Sequence, residues 1–343
     1  MEVAWTNMGP PNLCGFLKKE FPKLVDVLGE SWTTKLLEQS QSLLFKYPHE
    51  NLEGRIGDEL ENLPSVNNRL RDMFVDLFCY KFRPNSCIGP GGWVIPLLEM
   101  SLLYLSTKTS NPPSVQTAYR SDLRDGEGFI GTFHEVVCCA RLARLGQRCY
   151  LHVPTGRRNF DIKVEGTEWG DLNADVKWRL PQWPVNYVDI VKEDGGNPEW
   201  EARGTVHPAF QRADKMNRPN KLAHPESDQI RRVLQDGLGQ LPSAGLNLII
   251  FCVSGTSRPF SMEDALLGDS FLLVDSRKLI EKAGRHPNGL FQEYSFMKIS
   301  AVVRVELSCG EMKGRVHPNL KANTQFPCTM KSKLENVLKI QNE

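Results

Sequence analysis

The sequence predicts an α/β protein: a mixed central sheet with flanking helices, preceded by a helical N-terminal region. Three observations carry this expectation. Apolar residues recur at three- and four-residue spacing through the first 110 residues, the period of an amphipathic helix. From Gly131 the pattern changes to helix, three short strands, helix, strand. Residues 246–253 then form a strongly apolar run that reads as a buried strand. Strands followed by helices in this order imply helices packed on a sheet.

In chain order, residues 24–44, 66–82 and 94–105 read as helices. The first 110 residues hold 11 basic and 13 acidic side chains, a net of −2, so the remainder carries +3 of the overall +1. Ser110-Asn111-Pro112-Pro113-Ser114 reads as a linker, dividing a helical region (1–110) from a second domain (111–343). Residues 133–145 read as a helix ended by Gly146, and 148–153, 159–164 and 172–178 as strands. Residues 180–225 are rich in Pro, Gly and Trp and read as irregular, a length that is usually functional or disordered. Ser227 is expected to cap a helix reaching residue 238. Beyond the strand at 246–253, further strands are expected at 271–274 and 299–307, with a helix at 277–283 between them.

Composition excludes several classes. Lys plus Arg is 42 against 41 for Asp plus Glu, so any basic surface must be local. The nine cysteines include no Cys-x-x-Cys pair, which argues against structural zinc and for buried free thiols in a reducing compartment, Cys138 and Cys139 among them. The start of the chain lacks a basic segment followed by an apolar core. The longest apolar stretch, 93–105, is too short to span a membrane and contains Glu99. A cytoplasmic protein without a membrane partner is expected. Gly126-Glu127-Gly128-Phe129-Ile130-Gly131 spells a dinucleotide-binding fingerprint, but residues 119–125 before it do not read as the required buried strand. Ser254-Gly255-Thr256-Ser257 reads as a turn rather than a nucleophile elbow.

The chemistry concentrates on two strands and one helix. Strand side chains alternate faces, so Asn173, Asp175 and Lys177 share one side of their strand. Asp161 and Lys163 likewise share the face opposite to Phe160, Ile162 and Val164. If the two strands pair in register, Asp161 and Asp175 converge, and two close carboxylates require a cation or a proton between them. An oxygen-only donor set suits Mg²⁺ or Mn²⁺. Glu135 lies on a largely apolar helix face with Cys138, Cys139 and Leu142, away from an expected solvent stripe of Arg141, Arg144 and Arg148. A carboxylate there needs a partner. His134 points about 100° away from Glu135 on a helix and reads as packed or solvated. Taken singly, Asp-x-Lys on a strand or Glu on a helix is most often a solvated face. The ordered set of helical Glu, strand Asp, then Asp-x-Lys one hairpin later is the signal.

Phe133-His134-Glu135, the segment 140–146, Asn159-Phe160-Asp161 and Asp175-Val176-Lys177 together resemble the core of the PD-(D/E)xK nuclease superfamily. Phe160 stands where the family name has Pro, and Asp175 replaces the commoner Glu. The resemblance covers about 131–253. It implies a restriction-endonuclease-like αβββαβ core, with Asp161 and Asp175 holding Mg²⁺ or Mn²⁺, Glu135 assisting, and Lys177 positioning or activating the water. The implied activity is phosphodiester hydrolysis, of DNA rather than RNA. Analogy adds a homo-oligomer or a defence-system protein as possible partner. A chain that kept the fold as a binding or scaffold protein and lost turnover is the alternative.

Nucleic acid also needs cations along its backbone. Residues 203–232 hold seven Lys or Arg against Asp214, Glu226 and Asp228, a local net of +4. Arg212, Lys215, Arg218 and Lys221 are the candidates there, with Arg157 and Arg158 just before Asp161. An ordinary basic surface explains them equally well.

Overall fold

The computed structural model describes residues 13–46, 70, 73–74, 77–78, 91–109, 114–125, 128–155, 158–179, 188–194, 197–203, 225–254, 259–275, 280–308 and 310–340. The chain divides into two compact units, Met1–His152 with Gln341–Glu343, and Val153–Ile340. This division lies well beyond the Ser110–Ser114 segment read as a linker, of which Ser114 already opens a helix.

The first unit is helical. Helices α1 (Leu13–Glu20), α2 (Pro22–Leu28), α3 (Glu30–Lys46), α4 (Gly91–Lys108), α5 (Ser114–Arg124) and α6 (Phe129–Leu142) are described in full. Of the helix expected at 66–82, Leu70, Met73, Phe74, Leu77 and Phe78 are described and helical. Leu70, Phe74, Leu77 and Phe78 are fully buried, the one-face spacing of an amphipathic helix. Helix α6 buries Phe133, Val136, Val137 and Ala140, and α4 packs against it, with Trp93 edge-on to Phe133 at 6.0 Å. Cys138 and Cys139 are buried, as expected. The arginine stripe is only partly in solvent: Arg144 is exposed and stacks over Tyr104 at 5.2 Å, whereas Arg141 is partly enclosed and burial lowers its pKa. The segment before the glycine-rich fingerprint is helix α5, not a strand, so the dinucleotide-binding geometry is not built.

The second unit contains an open, mixed six-stranded sheet. Its strands are β1 (Arg148–Thr155), β2 (Arg158–Thr167), β3 (Gly170–Arg179), β6 (Leu246–Ser254), β9 (Ala301–Ser308) and β10 (Glu311–Pro318), in that spatial order. The unit division falls within β1. β2 and β3 are antiparallel, β3, β6 and β9 run parallel, and β10 returns antiparallel. Parallel neighbours need long connections, and the one from β3 to β6 includes α7 (Pro225–Leu238), which packs on both strands. β6 is central and buried on both faces, as its apolar run predicts. Its one polar interior residue, Asn247, is paired across the parallel ladder with Asn173, whose amide donates to its carbonyl at 2.9 Å.

Three expectations are corrected. The segment 180–225 is not wholly irregular: β4 (Val188–Asp194) and β5 (Asn197–Arg203) pair antiparallel with Asp194 opposite Asn197. The two intervening residues are Gly195 and Gly196, a two-residue hairpin signal that composition masked. The helix expected at 277–283 is instead strand β8 (Ile280–Arg285), paired with β7 (Ser270–Asp275) in a second sheet ordered β5-β4-β7-β8. Ladder bonding to β7 outweighs the modest helical propensity of this segment. Ser227 does not cap α7 from outside: it sits within the helix and donates to Asp269 Oδ1 at 2.8 Å. Helices α8 (Pro259–Leu267) and α9 (Cys328–Val337) complete the unit, with α8 against α7 and α9 against β10. Among the described residues no helix is long and apolar enough to cross a membrane.

Candidate active site

On β3, alternation places Asn173, Asp175 and Lys177 on one face, the face that α7 covers. Asp175 is 0% exposed, and its Oδ2 lies 2.7 Å from Lys177 Nζ. A buried carboxylate is costly unless a cation and hydrogen bonds meet it, and the i+2 lysine on the same face provides the cation. Lys177 Nζ also donates to Gln240 Oε1, just beyond α7.

The close cover over Asp175 depends on a glycine. A Cβ on Gly237 would stand 2.8 Å from Asp175 Oδ2 and 3.4 Å from Lys177 Cε. Only a residue without a side chain lets the helix backbone approach the ion pair this closely.

Asp161 comes to the same strand from β2. The pairing of β2 with β3 runs from Val164↔Leu172 to Ile162↔Ala174, which sets Asp161 beside the Asp175–Val176 peptide. There its Oδ2 accepts the Val176 backbone N–H. The side chain thereby supplies the acceptor that a ladder carbonyl would otherwise provide. The structure thus brings Asp161, Asp175 and Lys177 onto neighbouring positions of β2 and β3.

Glu135 belongs to the first unit, on α6. The partner its apolar surroundings demand is His152, whose Nε2 lies 2.8 Å from Glu135 Oε1. His152 stands edge-on to Tyr119 at 5.4 Å. Its hydrogen bond to Glu135 raises its pKa above the ordinary histidine value, against the opposing effect of burial. Its φ of +49° makes it the only non-glycine among the described residues with positive φ, a conformation that costs energy and is retained only where surrounding contacts fix it. Sequence reasoning missed His152, because nothing in Tyr150-Leu151-His152-Val153 marks a reversed φ. His134 is packed rather than solvated: it is buried, its Nδ1 is 2.7 Å from Ile130 O, and burial lowers its pKa to about 4.

Of the basic candidates, Arg158 is described. It is exposed, and its Nη1 lies over Gly239, where a Cβ would approach to 2.7 Å. It therefore sits beside the turn that carries Gln240. Arg157, Arg212, Lys215, Arg218 and Lys221 lie outside the described residues. In the described part of 203–232, Arg231 is not a surface cation. It is 8% exposed and pairs with Asp269 and Asp228, so its charge is neutralised internally. Comparisons with family models, with curated proteins and with solved structures give no match.

Proposed function

We propose that this protein is a divalent-metal-dependent nuclease acting on DNA in preference to RNA, with Asp161, Asp175 and Lys177 at the reacting centre and Glu135 assisting. The observation that carries this reading is the enclosed Asp175–Lys177 pair on β3, with the Asp161 carboxylate bonded to the peptide between them. The chain order α6, β1, β2, β3, α7, β6, with the β4–β5 hairpin inserted, supports a restriction-endonuclease-like αβββαβ core.

The donor types suit Mg²⁺ or Mn²⁺: the carboxylates of Asp161 and Asp175 carry two negative charges against the one positive charge of Lys177, and the donors are all oxygen. Asp161 and Asp175 would hold the ion, with Glu135 as the third carboxylate implied by the resemblance. When bound, such an ion acidifies a water and neutralises charge at phosphorus. Hydrolysis adds a water to phosphorus and breaks the bond to the leaving sugar oxygen, which takes up the proton that the water gives up. Lys177 pairs its charge with Asp175 and donates to Gln240, and a further N–H of its ammonium would stabilise charge on a non-bridging phosphate oxygen. Arg158, exposed beside the turn that carries Gln240, would contact a backbone phosphate, the role expected also of Arg157, Arg212, Lys215, Arg218 and Lys221.

A second reading has one observation in its favour. Asp175 is fully enclosed beneath α7 and already neutralised by Lys177, the arrangement expected of a binding or scaffold protein that no longer takes up metal. The deciding experiment incubates purified protein with plasmid DNA and with RNA in Mg²⁺ or Mn²⁺. The nuclease reading expects cleavage of DNA, lowered by about 100-fold or more in Lys177→Ala and in Asp175→Asn. A parent that cleaves neither substrate and gains no thermal stability from either ion supports the scaffold instead.

A further inference from the structure

We propose that Gln240 is a positioning residue for catalysis: it fixes the Lys177 ammonium between its own side-chain oxygen and Asp175. This inference rests on the nuclease reading above. Lys177 ends a long flexible stem, and a single ion pair leaves its ammonium free to swing about Asp175. A second acceptor on a different element removes that freedom. Gln240 supplies it, accepting from Nζ while Asp175 Oδ2 stands 2.7 Å from the same nitrogen.

The turn that carries Gln240 is itself held at four points. Gly239 N–H donates to Asp236 O at 3.2 Å and Gln240 N–H to Gly237 O at 3.1 Å. Lys298 Nζ donates to Leu241 O at 3.0 Å, and Asn247 Nδ2 to Pro242 O at 2.8 Å. The last bond links the turn to the Asn173–Asn247 pair, and so back to the strand that bears Asp175 and Lys177. Gly237 and Gly239 serve the same geometry from the backbone side. The first lets α7 approach Asp175, and the second leaves room for the Arg158 guanidinium. An acceptor that is held rigidly pre-orients its donor, which is how outer-shell groups tune a reacting residue.

The test compares Gln240→Ala with Gln240→Glu, which keeps an oxygen acceptor at the same reach. Gln240→Ala is expected to lower kcat about 10- to 100-fold with little change in KM for DNA, and Gln240→Glu to recover most of the loss. The ¹⁵Nζ resonance of Lys177, assigned with Lys177→Ala, is expected to broaden or vanish in Gln240→Ala and persist in Gln240→Glu. A cleaving parent whose Gln240→Ala variant keeps its kcat overturns this inference alone. A parent that does not cleave overturns the nuclease reading and with it the catalytic role. In that case an unchanged Lys177 resonance in Gln240→Ala overturns the positioning contact as well.

Discussion

Asp175 and Lys177 form a unit whose two members are not equivalent. Asp175 is wholly enclosed, whereas the Lys177 side chain keeps 19% of its exposure. Removing the lysine strands a buried carboxylate; removing the carboxylate charge leaves a lysine that still reaches Gln240 and solvent. Lys177→Ala is therefore expected to lose about 3 kcal/mol of stability, and Asp175→Asn clearly less, as read by urea denaturation without metal. Equal losses would show that the pair is not electrostatically lopsided. Gly237→Ala sets helix propensity, worth up to about 1 kcal/mol in favour of Ala, against a methyl 2.8 Å from Asp175 Oδ2. Since Asp175 is fully buried and held by Lys177, the variant is expected to be less stable than the parent. A higher midpoint would mean that the carboxylate yields easily. The Glu135–His152 pair gives a pH signature. His152 has a raised folded-state pKa, so its contribution to stability is complete below the unfolded histidine value and disappears as pH rises through the folded value. The Tm gap between parent and Glu135→Gln should accordingly be wide near pH 5.5 and narrow at pH 9.

At the scale of elements, α2 shows how a helix too short to stand alone is held. A seven-residue helix is marginal by itself. Its first N–H groups are taken by Glu99 of α4, whose carboxylate accepts from Lys23 N at 2.9 Å and Leu24 N at 2.6 Å. Its last carbonyls are taken by α5: Arg120 Nε bonds Val27 O and Arg124 Nε bonds Leu28 O, each at 2.8 Å. Anion at the N-terminus and cations at the C-terminus also match the helix dipole. Burial raises the pKa of Glu99 despite those bonds. Each of its oxygens takes one N–H, so Glu99→Gln, with a single amide oxygen, should keep one of the two bonds and lose less stability than a variant that keeps neither. Glu99→Leu, which leaves two buried donors unmet, should cost about 1–3 kcal/mol. Denaturant midpoints of the two variants distinguish these outcomes, and equal midpoints would remove the capping role. In the sheet, Asn173 and Asn247 serve the analogous purpose. The Asn247 amide donates to Pro242 O and Lys298 O and its oxygen accepts from Asn173, so a slip of β3 against β6 would cost the buried Asn173 amide this acceptor.

On the scale of the molecule, the two units carry a shared acid sensitivity. His134 in the first and His317 in the second both have pKa values lowered by burial to about 4. The unfolded chain takes up their protons first, as pH falls below the ordinary histidine value. Stability from both is complete above that value and declines as pH falls toward 4. Hydrogen exchange resolved by unit should show protection falling in both over this interval. His134→Asn, which keeps a donor for Ile130 O without titrating, should flatten the decline in the first unit and leave that of the second. An unchanged slope in the first unit would assign its acid sensitivity elsewhere.

Legibility from sequence followed the range of the interactions involved. Local periodicity marked α4 and α6, the three strands around Asp161 and Asp175, and the central apolar strand β6; residues 24–44, read as one helix, are divided at Gly29 between α2 and α3, and α1 and α5 were not read as helices. Alternation along β3 alone placed Asp175 and Lys177 on one face, because side-chain parity is a property of a single strand. What depended on a partner distant in sequence was not legible. Ile280–Arg285 is a strand because β7 lies alongside it, and a spacing compatible with helix does not register that neighbour. The Gly195-Gly196 hairpin signal was present but was submerged in a Pro- and Gly-rich stretch. His152 became the partner of Glu135 through a reversed φ that no residue type announces, and Arg231 left the basic surface because Asp269 awaited it in the interior. Gln240 met Lys177 from 63 positions away. The sequence by itself determined which side of their own strand Asp175 and Lys177 occupy. Only the tertiary structure decided which groups meet, because burial and charge pairing are set by neighbours that folding brings together.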